Sequence, residues 1–207
     1  MLTFPSVALW AGVLVPVAYY GSQAIAAPFF PDFSFLKHTA SLLGSELSTR
    51  PWVLNTGAAV TGSLALVASL GPVIALKPAG RTWLGVLLAL CFASFGLASL
   101  WAASFPLPDQ RHNPGPLGAG MFLAPFAACV AAFVLRMSTA TRCYTSINIL
   151  GFFAVAAAYS GSLAIDLQAY SGLLQRIGTV VMLVPLSVVC YCLLPRTAPT
   201  ASARSAA

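Results

Sequence analysis

Four side chains in this sequence have the types from which a hydrolytic or metal-assisted site is built: His38, Ser41, Asp109 and His112. A serine becomes a nucleophile when an imidazole takes its proton and an acid holds that imidazole in place. Ser41 with a histidine held by Asp109 would meet that requirement. A zinc site needs three protein ligands and an open position, a set that His38, Asp109 and His112 could supply. Neither spacing is diagnostic, so no metal and no cofactor is assigned. The plainer use of all four is to anchor loops at the level of lipid headgroups. A second group, Gln23, Asn55 and Tyr159 with Ser160, lies in apolar surroundings and could line a path for a ligand, or simply bond helix to helix. Arg111 and Arg176 complete the ligand-binding candidates, because a guanidinium matches phosphate geometry.

The elements that must position these residues are membrane helices. Charged residues make up 7% of the chain and hydrophobic ones 59%. A soluble domain carries about 25% charged residues, so here the exterior must face lipid. Six apolar stretches approach the roughly 20 residues that span a bilayer. They are 7–27, 52–76, 83–104, 117–135, 144–165 and 177–194. The expectation is an all-α, polytopic six-transmembrane-helix bundle over residues 1–195, with a disordered cytoplasmic tail over 196–207. The first stretch is too long for the core of a secretory signal and lacks a preceding basic residue, so it reads as the first span. No ionisable residue falls in the middle of a predicted span, which counts against a pump or proton-coupled carrier.

Charge sets the orientation. Lys77, Arg81, Arg136, Arg142, Arg196 and Arg204 fall in loops two and four and the tail, without an acid. Lys37, Arg50, Arg111 and Arg176 share loops one, three and five with Asp32, Glu46, Asp109 and Asp166. The positive-inside rule makes the acid-free side cytoplasmic, both termini included, and places the protein in the cell inner membrane. The net charge of +6 is scattered singly between apolar runs, so nucleic acid is not an expected partner. Cys91, Cys129, Cys190 and Cys192 lie in apolar runs and Cys143 beside Arg142, a pattern of small hydrophobes and not of a disulfide or zinc framework.

Two loops carry the candidate site. In 33–47, Leu36, Ala40, Leu43 and Leu47 recur at helical spacing, predicting a short amphipathic interfacial helix after the first span. Loop three holds prolines at 106, 108, 114 and 116, which predicts an extended, non-helical hairpin. Small-residue pairs at 58 and 62, 94 and 98, 127 and 131, and 157 and 161 predict close helix packing.

His38-Thr-Ala-Ser41-Leu-Leu-Gly44, then Asn55, then Phe105-Pro-Leu-Pro-Asp109 through His112, resemble a pattern in a six-helix bacterial membrane protein family. That family is catalogued as domain of unknown function nine-nine-eight. The resemblance spans about residues 10–190 and implies the six-helix fold, with Ser41, Gly44, Asn55, Asp109 and His112 as positions of interest. It implies no reaction. Here an extra residue precedes the acid. Three readings follow, in order of preference. The first is a bundle binding membrane lipid or a hydrophobic small molecule, or a partner membrane protein, in a pocket open to the outer side. The second is a membrane-embedded hydrolase or transferase using the outer His/Ser/Asp group. The third is a small facilitative transporter.

Overall fold

The computed structural model describes residues 3–194; the tail expected over 196–207 lies outside them. The regular structure of the described residues is entirely helical, with no strand. It comprises α1 (Phe4–Ala26), α2 (Pro51–Leu76), α3 (Thr82–Ser104), α4 (Ala124–Val134), α5 (Thr139–Tyr159) and α6 (Leu167–Leu193). Among the described residues five segments are long and apolar enough to cross a membrane: Phe4–Phe29, Pro51–Ala79, Thr82–Ser104, Gln110–Val134 and Leu167–Leu193. Bulky apolar side chains such as Val17, Ile25, Leu90, Ile147, Leu150 and Phe153 stand exposed on helix flanks. Water would not tolerate such a surface, whereas lipid does. The chain is a multi-pass membrane protein. Helix α5 is 21 residues long, but its first half carries Arg142, Thr145, Ser146 and Asn148.

The helix boundaries follow local chemistry. Prolines sit in the first turns of α1 and α2, where a missing N–H costs nothing. The Ser138 hydroxyl caps α5 by accepting from Thr141 N at 3.2 Å. The Asp166 carboxylate caps α6, accepting from Gln168 N at 2.9 Å and Ala169 N at 3.2 Å. That cap starts the last helix at Leu167, well before the predicted boundary at Ile177, and α5 stops at Tyr159 instead of running to Ile165. Arg176 therefore lies inside a membrane helix, contrary to its expected place in a loop. The fourth predicted stretch also divides: Gly115–Leu123 is a 3-10 helix and only Ala124–Val134 is α-helical.

Close packing rests on small residues. On α2 and α3, a Cβ added to Gly62 would lie 2.8 Å from the Gly96 carbonyl oxygen, and one on Gly96 would lie 2.9 Å from that of Gly62. One turn away the Ser99 hydroxyl donates to the Ala58 carbonyl at 2.9 Å. The face made by Ser94 and Ala98 takes the 3-10 segment: Ser94 Oγ donates to Leu117 O and accepts from Gly120 N at 2.9 Å. Ala127, Ala128, Ala131 and Ala132 are all buried. The pair at 157 and 161 fails, because Gly161 lies past the end of α5 at φ +77° with nothing near its Cβ position. The core runs through the middle of the bundle, from Leu9 and Val15 across Leu88 and Phe92 to Leu186 and Val189.

Both loops at the acid-bearing end differ from expectation. Residues 27–50 contain no amphipathic α-helix; they form turns and two 3-10 segments, Ala27–Phe29 and Ala40–Gly44. Ala40 and Leu43 are buried while Leu36 and Leu47 are exposed, so the expected apolar face is split. Local turns bond part of this backbone to itself, as from His38 N to Ser34 O at 2.8 Å, while the carbonyls of residues 35–38 and the Ala40 amide bond to α6, which a regular helix would forbid. Loop three is not wholly non-helical either: Gln110–His112 and Gly115–Leu123 form 3-10 turns. Pro114 precedes the second of these and Pro116 stands in its first turn, where neither ring meets a preceding turn.

Candidate functional site

A strap made of residues 33–44 lies across the acid-bearing end and is fastened to α6. Arg176 Nη1 donates to the carbonyls of Phe35 at 2.9 Å, His38 at 3.0 Å and Gly172 at 2.8 Å. Its guanidinium also covers the Phe33 and Phe35 rings, at 5.6 and 4.8 Å. Leu173 N donates to Leu36 O at 3.0 Å, Ser171 Oγ to Lys37 O at 2.5 Å, and Ala40 N to Gln175 Oε1 at 2.7 Å. At the other end of the strap Asn55 Nδ2 donates to Gly44 O at 3.0 Å. Glycine is required at 172: a Cβ there would lie 2.4 Å from His38 O.

Beneath the strap is a cavity of about 660 Å³, within the size range of sites that take one drug-sized molecule. Its roof is Ala40 and Ser41 of the strap with His112 of loop three. Its walls are the ends of α1, α2, α3, α5 and α6 nearest that roof. Along α6 the lining runs from Leu174 to Leu183, a depth of about 14 Å at the helical rise. Polar groups gather near the roof: Ser22, Gln23, Asn55, Ser99 and Gln175. The deeper wall is apolar, with Phe95, Val181, Met182 and Leu183. Helix α5 closes the cavity only loosely. Its Ala156 and Tyr159 line the space yet remain exposed, and residues 160–168 are exposed throughout.

The sequence candidates divide between this cavity and its supports. Gln23, Ser41, Asn55, His112 and Tyr159 line the cavity together. His38 is held in the strap, its Nδ1 accepting from Ser34 N at 3.1 Å and its ring against Phe30 and Phe33. Asp109 is engaged at both carboxylate oxygens by Arg111, whose Nε and Nη2 donate at 3.0 and 2.7 Å. Those contacts hold the carboxyl well below its usual range, at about 2. Arg111 also covers the Phe105 ring at 4.1 Å, and Trp101 Nε1 donates to its carbonyl at 2.6 Å. Arg176 secures the strap. Among the described residues no group of three His, Cys, Asp or Glu side chains is arranged to hold a metal ion. All five cysteines are free. His112 Nδ1 lies 2.8 Å from the Phe105 carbonyl, which can only accept. A neutral ring therefore carries its proton on Nδ1 and keeps a lone pair on Nε2.

Reasoning from sequence missed Tyr19, Ser22, Ser99, Gln175 and Thr179, which share the cavity. Their signal was available in part: Asp166 is a good N-cap, and starting α6 there would have brought Gln175 and Thr179 inside the bundle.

The model of a family described as "Protein of unknown function (DUF998)" matches residues 13–191. The chain belongs to this DUF998 family. No curated protein and no solved structure matches it. The match takes in the strap, loop three and all but the ends of the bundle, so the cavity lies wholly within the DUF998 region.

Proposed function

We propose that this DUF998 protein binds a lipid or other hydrophobic small molecule in the cavity beneath the strap. The observation that carries this reading is the cavity's polarity: apolar toward the middle of the bundle and polar under the roof, as an amphipathic ligand requires. The acid-bearing end would face the outer side and the acid-free end the cytoplasm of an inner membrane, in keeping with the positive-inside rule. A ligand would enter from the lipid past the loosely packed outer half of α5. The test is native mass spectrometry of the full chain released from nanodiscs, beside Gly178→Leu. A Cβ at Gly178 meets Val155 Cγ1 alone, at 3.4 Å, so the larger side chain extends into the cavity. A retained apolar adduct in the natural protein that is lost in Gly178→Leu supports the reading. An adduct-free natural protein, or equal retention by both, overturns it.

One observation favours a second reading, a hydrolase or transferase. Ser41 and His112 share the cavity, and the Phe105 carbonyl selects the tautomer whose neutral ring has its lone pair on Nε2, as a general base would need. An ester of an apolar acid turned over by the natural protein but not by His112→Ala would support it.

A further inference from the structure

The hydrogen-bonding sense of the cavity wall is set by where each side chain spends its protons. Ser22 Oγ donates to Tyr19 O at 2.9 Å, Ser99 Oγ to Ala58 O at 2.9 Å, and Thr179 Oγ1 to Gln175 O at 2.8 Å. A hydroxyl has one proton, so each of these oxygens can offer only lone pairs to anything else. Gln23 Nε2 donates to Tyr19 O at 3.2 Å. That backbone oxygen accepts and cannot donate, which fixes the amide with Oε1 on the other side. Gln23 is 1% exposed, and its Oε1 is buried without a hydrogen-bond partner. A buried acceptor left unpaired is destabilising, so an added donor there is gained outright. His112 Nε2 adds another lone pair under the roof.

Charge restricts the ligand further. No Asp, Glu, Lys or Arg lines the cavity. Arg111 is paired with Asp109, while Arg176 lies outside the lining, its Nη1 bonded to the strap carbonyls and its Nε and Nη2 buried without a hydrogen-bond partner. A phosphate or carboxylate would be stripped of water with no countercharge among the lining residues. An ammonium head would lack a countercharge.

Resting on the cavity-binding reading above, we infer that the ligand is a single-chain lipid with an uncharged, hydrogen-bond-donating head, a hydroxyl or amide. Its tail occupies the apolar depth lined by Phe95, Val181 and Leu183, and its head donates to Gln23 Oε1 beneath the strap. Gln23 is the residue that distinguishes a donor head from a capped one.

The test uses the full chain in phosphatidylcholine nanodiscs and three diazirine-tagged probes sharing one acyl chain. One is a monoacylglycerol, the second its dimethyl ether, the third the corresponding lysophosphatidate. Labelled residues are located by peptide mass spectrometry. The monoacylglycerol should label cavity peptides about ten-fold more than either other probe, the worth of one net hydrogen bond. In Gln23→Leu its labelling should fall to the level of the dimethyl ether. Equal labelling of the cavity by all three probes in the natural protein overturns the donor-head assignment while leaving the cavity as a binding site. Preferential labelling by the lysophosphatidate overturns it in the same way. Failure of every probe to label the cavity overturns both. The comparison among probes needs no variant, so it decides the matter even if Gln23→Leu does not fold.

Discussion

Replacing Gly172 by alanine should open the strap while leaving the bundle standing. The added Cβ would sit 2.4 Å from His38 O, 2.7 Å from Phe35 O and 2.9 Å from Arg176 Nη1. The first two are backbone atoms, so no side-chain rotation relieves them. An ordinary carbon–oxygen contact is at least about 3.3 Å, so the strap must retreat by about 1 Å. That displacement stretches the bonds from Arg176 Nη1 to Phe35 O and His38 O, from Leu173 N to Leu36 O, and from Ala40 N to Gln175 Oε1. Overpacking of this kind costs about 1–3 kcal/mol. Alanine is also the better helix former by about 1 kcal/mol, an opposing gain that belongs to α6 as a whole. The two effects therefore separate. Global melting should move little, while hydrogen exchange at the Leu173 and Ala40 amides should quicken by about 5- to 150-fold. Hydrogen-exchange mass spectrometry of the strap and of residues 167–176 reads this directly. Unchanged exchange at both amides would show that the strap is not held by the contacts described, and its role as the cavity roof would fall with them.

Three further outcomes are expected. In a cysteine-free background, a membrane-impermeant maleimide added outside should label Gln110→Cys and spare Ala79→Cys, and the reverse pattern would invert the proposed orientation. Gly62→Val should lower the melting midpoint in detergent by an amount corresponding to about 1–3 kcal/mol, because its Cβ meets the Gly96 carbonyl at 2.8 Å; an unaltered midpoint would contradict the close crossing of α2 and α3. The Asp109 carboxyl is depressed from 3.8 to about 2 by Arg111, so what their pairing contributes is fully present above the unfolded value and is lost as pH falls through the folded one. Protection of the Arg111 amide, which donates to Asp109 Oδ1 at 2.8 Å, should therefore persist at pH 4 and disappear below about 2, and loss already at pH 4 would mean that the pair does not form.

The helical, membrane-embedded character of this protein was legible in composition and in the length of its apolar runs, because lipid demands an apolar exterior and internally bonded backbone. The starts of α2 and α3 and the small-residue face at Ala58 and Gly62 were legible for the same reason: helical spacing is a local property. The strap was not. Its Leu36, Ala40, Leu43 and Leu47 carry a helical period, yet its carbonyls are claimed by Arg176 and Ser171 and an amide is taken by Gln175, groups more than 130 residues distant. No local pattern reports such a competition. Arg176 itself looked like a loop residue because Gln168, Tyr170 and Gln175 dilute the apolarity of the first turns of α6, and only the fold reveals what those polar groups are for. The sequence determined which residues could do chemistry and that most stand near one end of the bundle. Tertiary structure alone decided that Ser41, Asn55 and His112 share a cavity while His38 and Asp109 serve its supports, since protons and lone pairs are assigned by neighbours that only folding brings together.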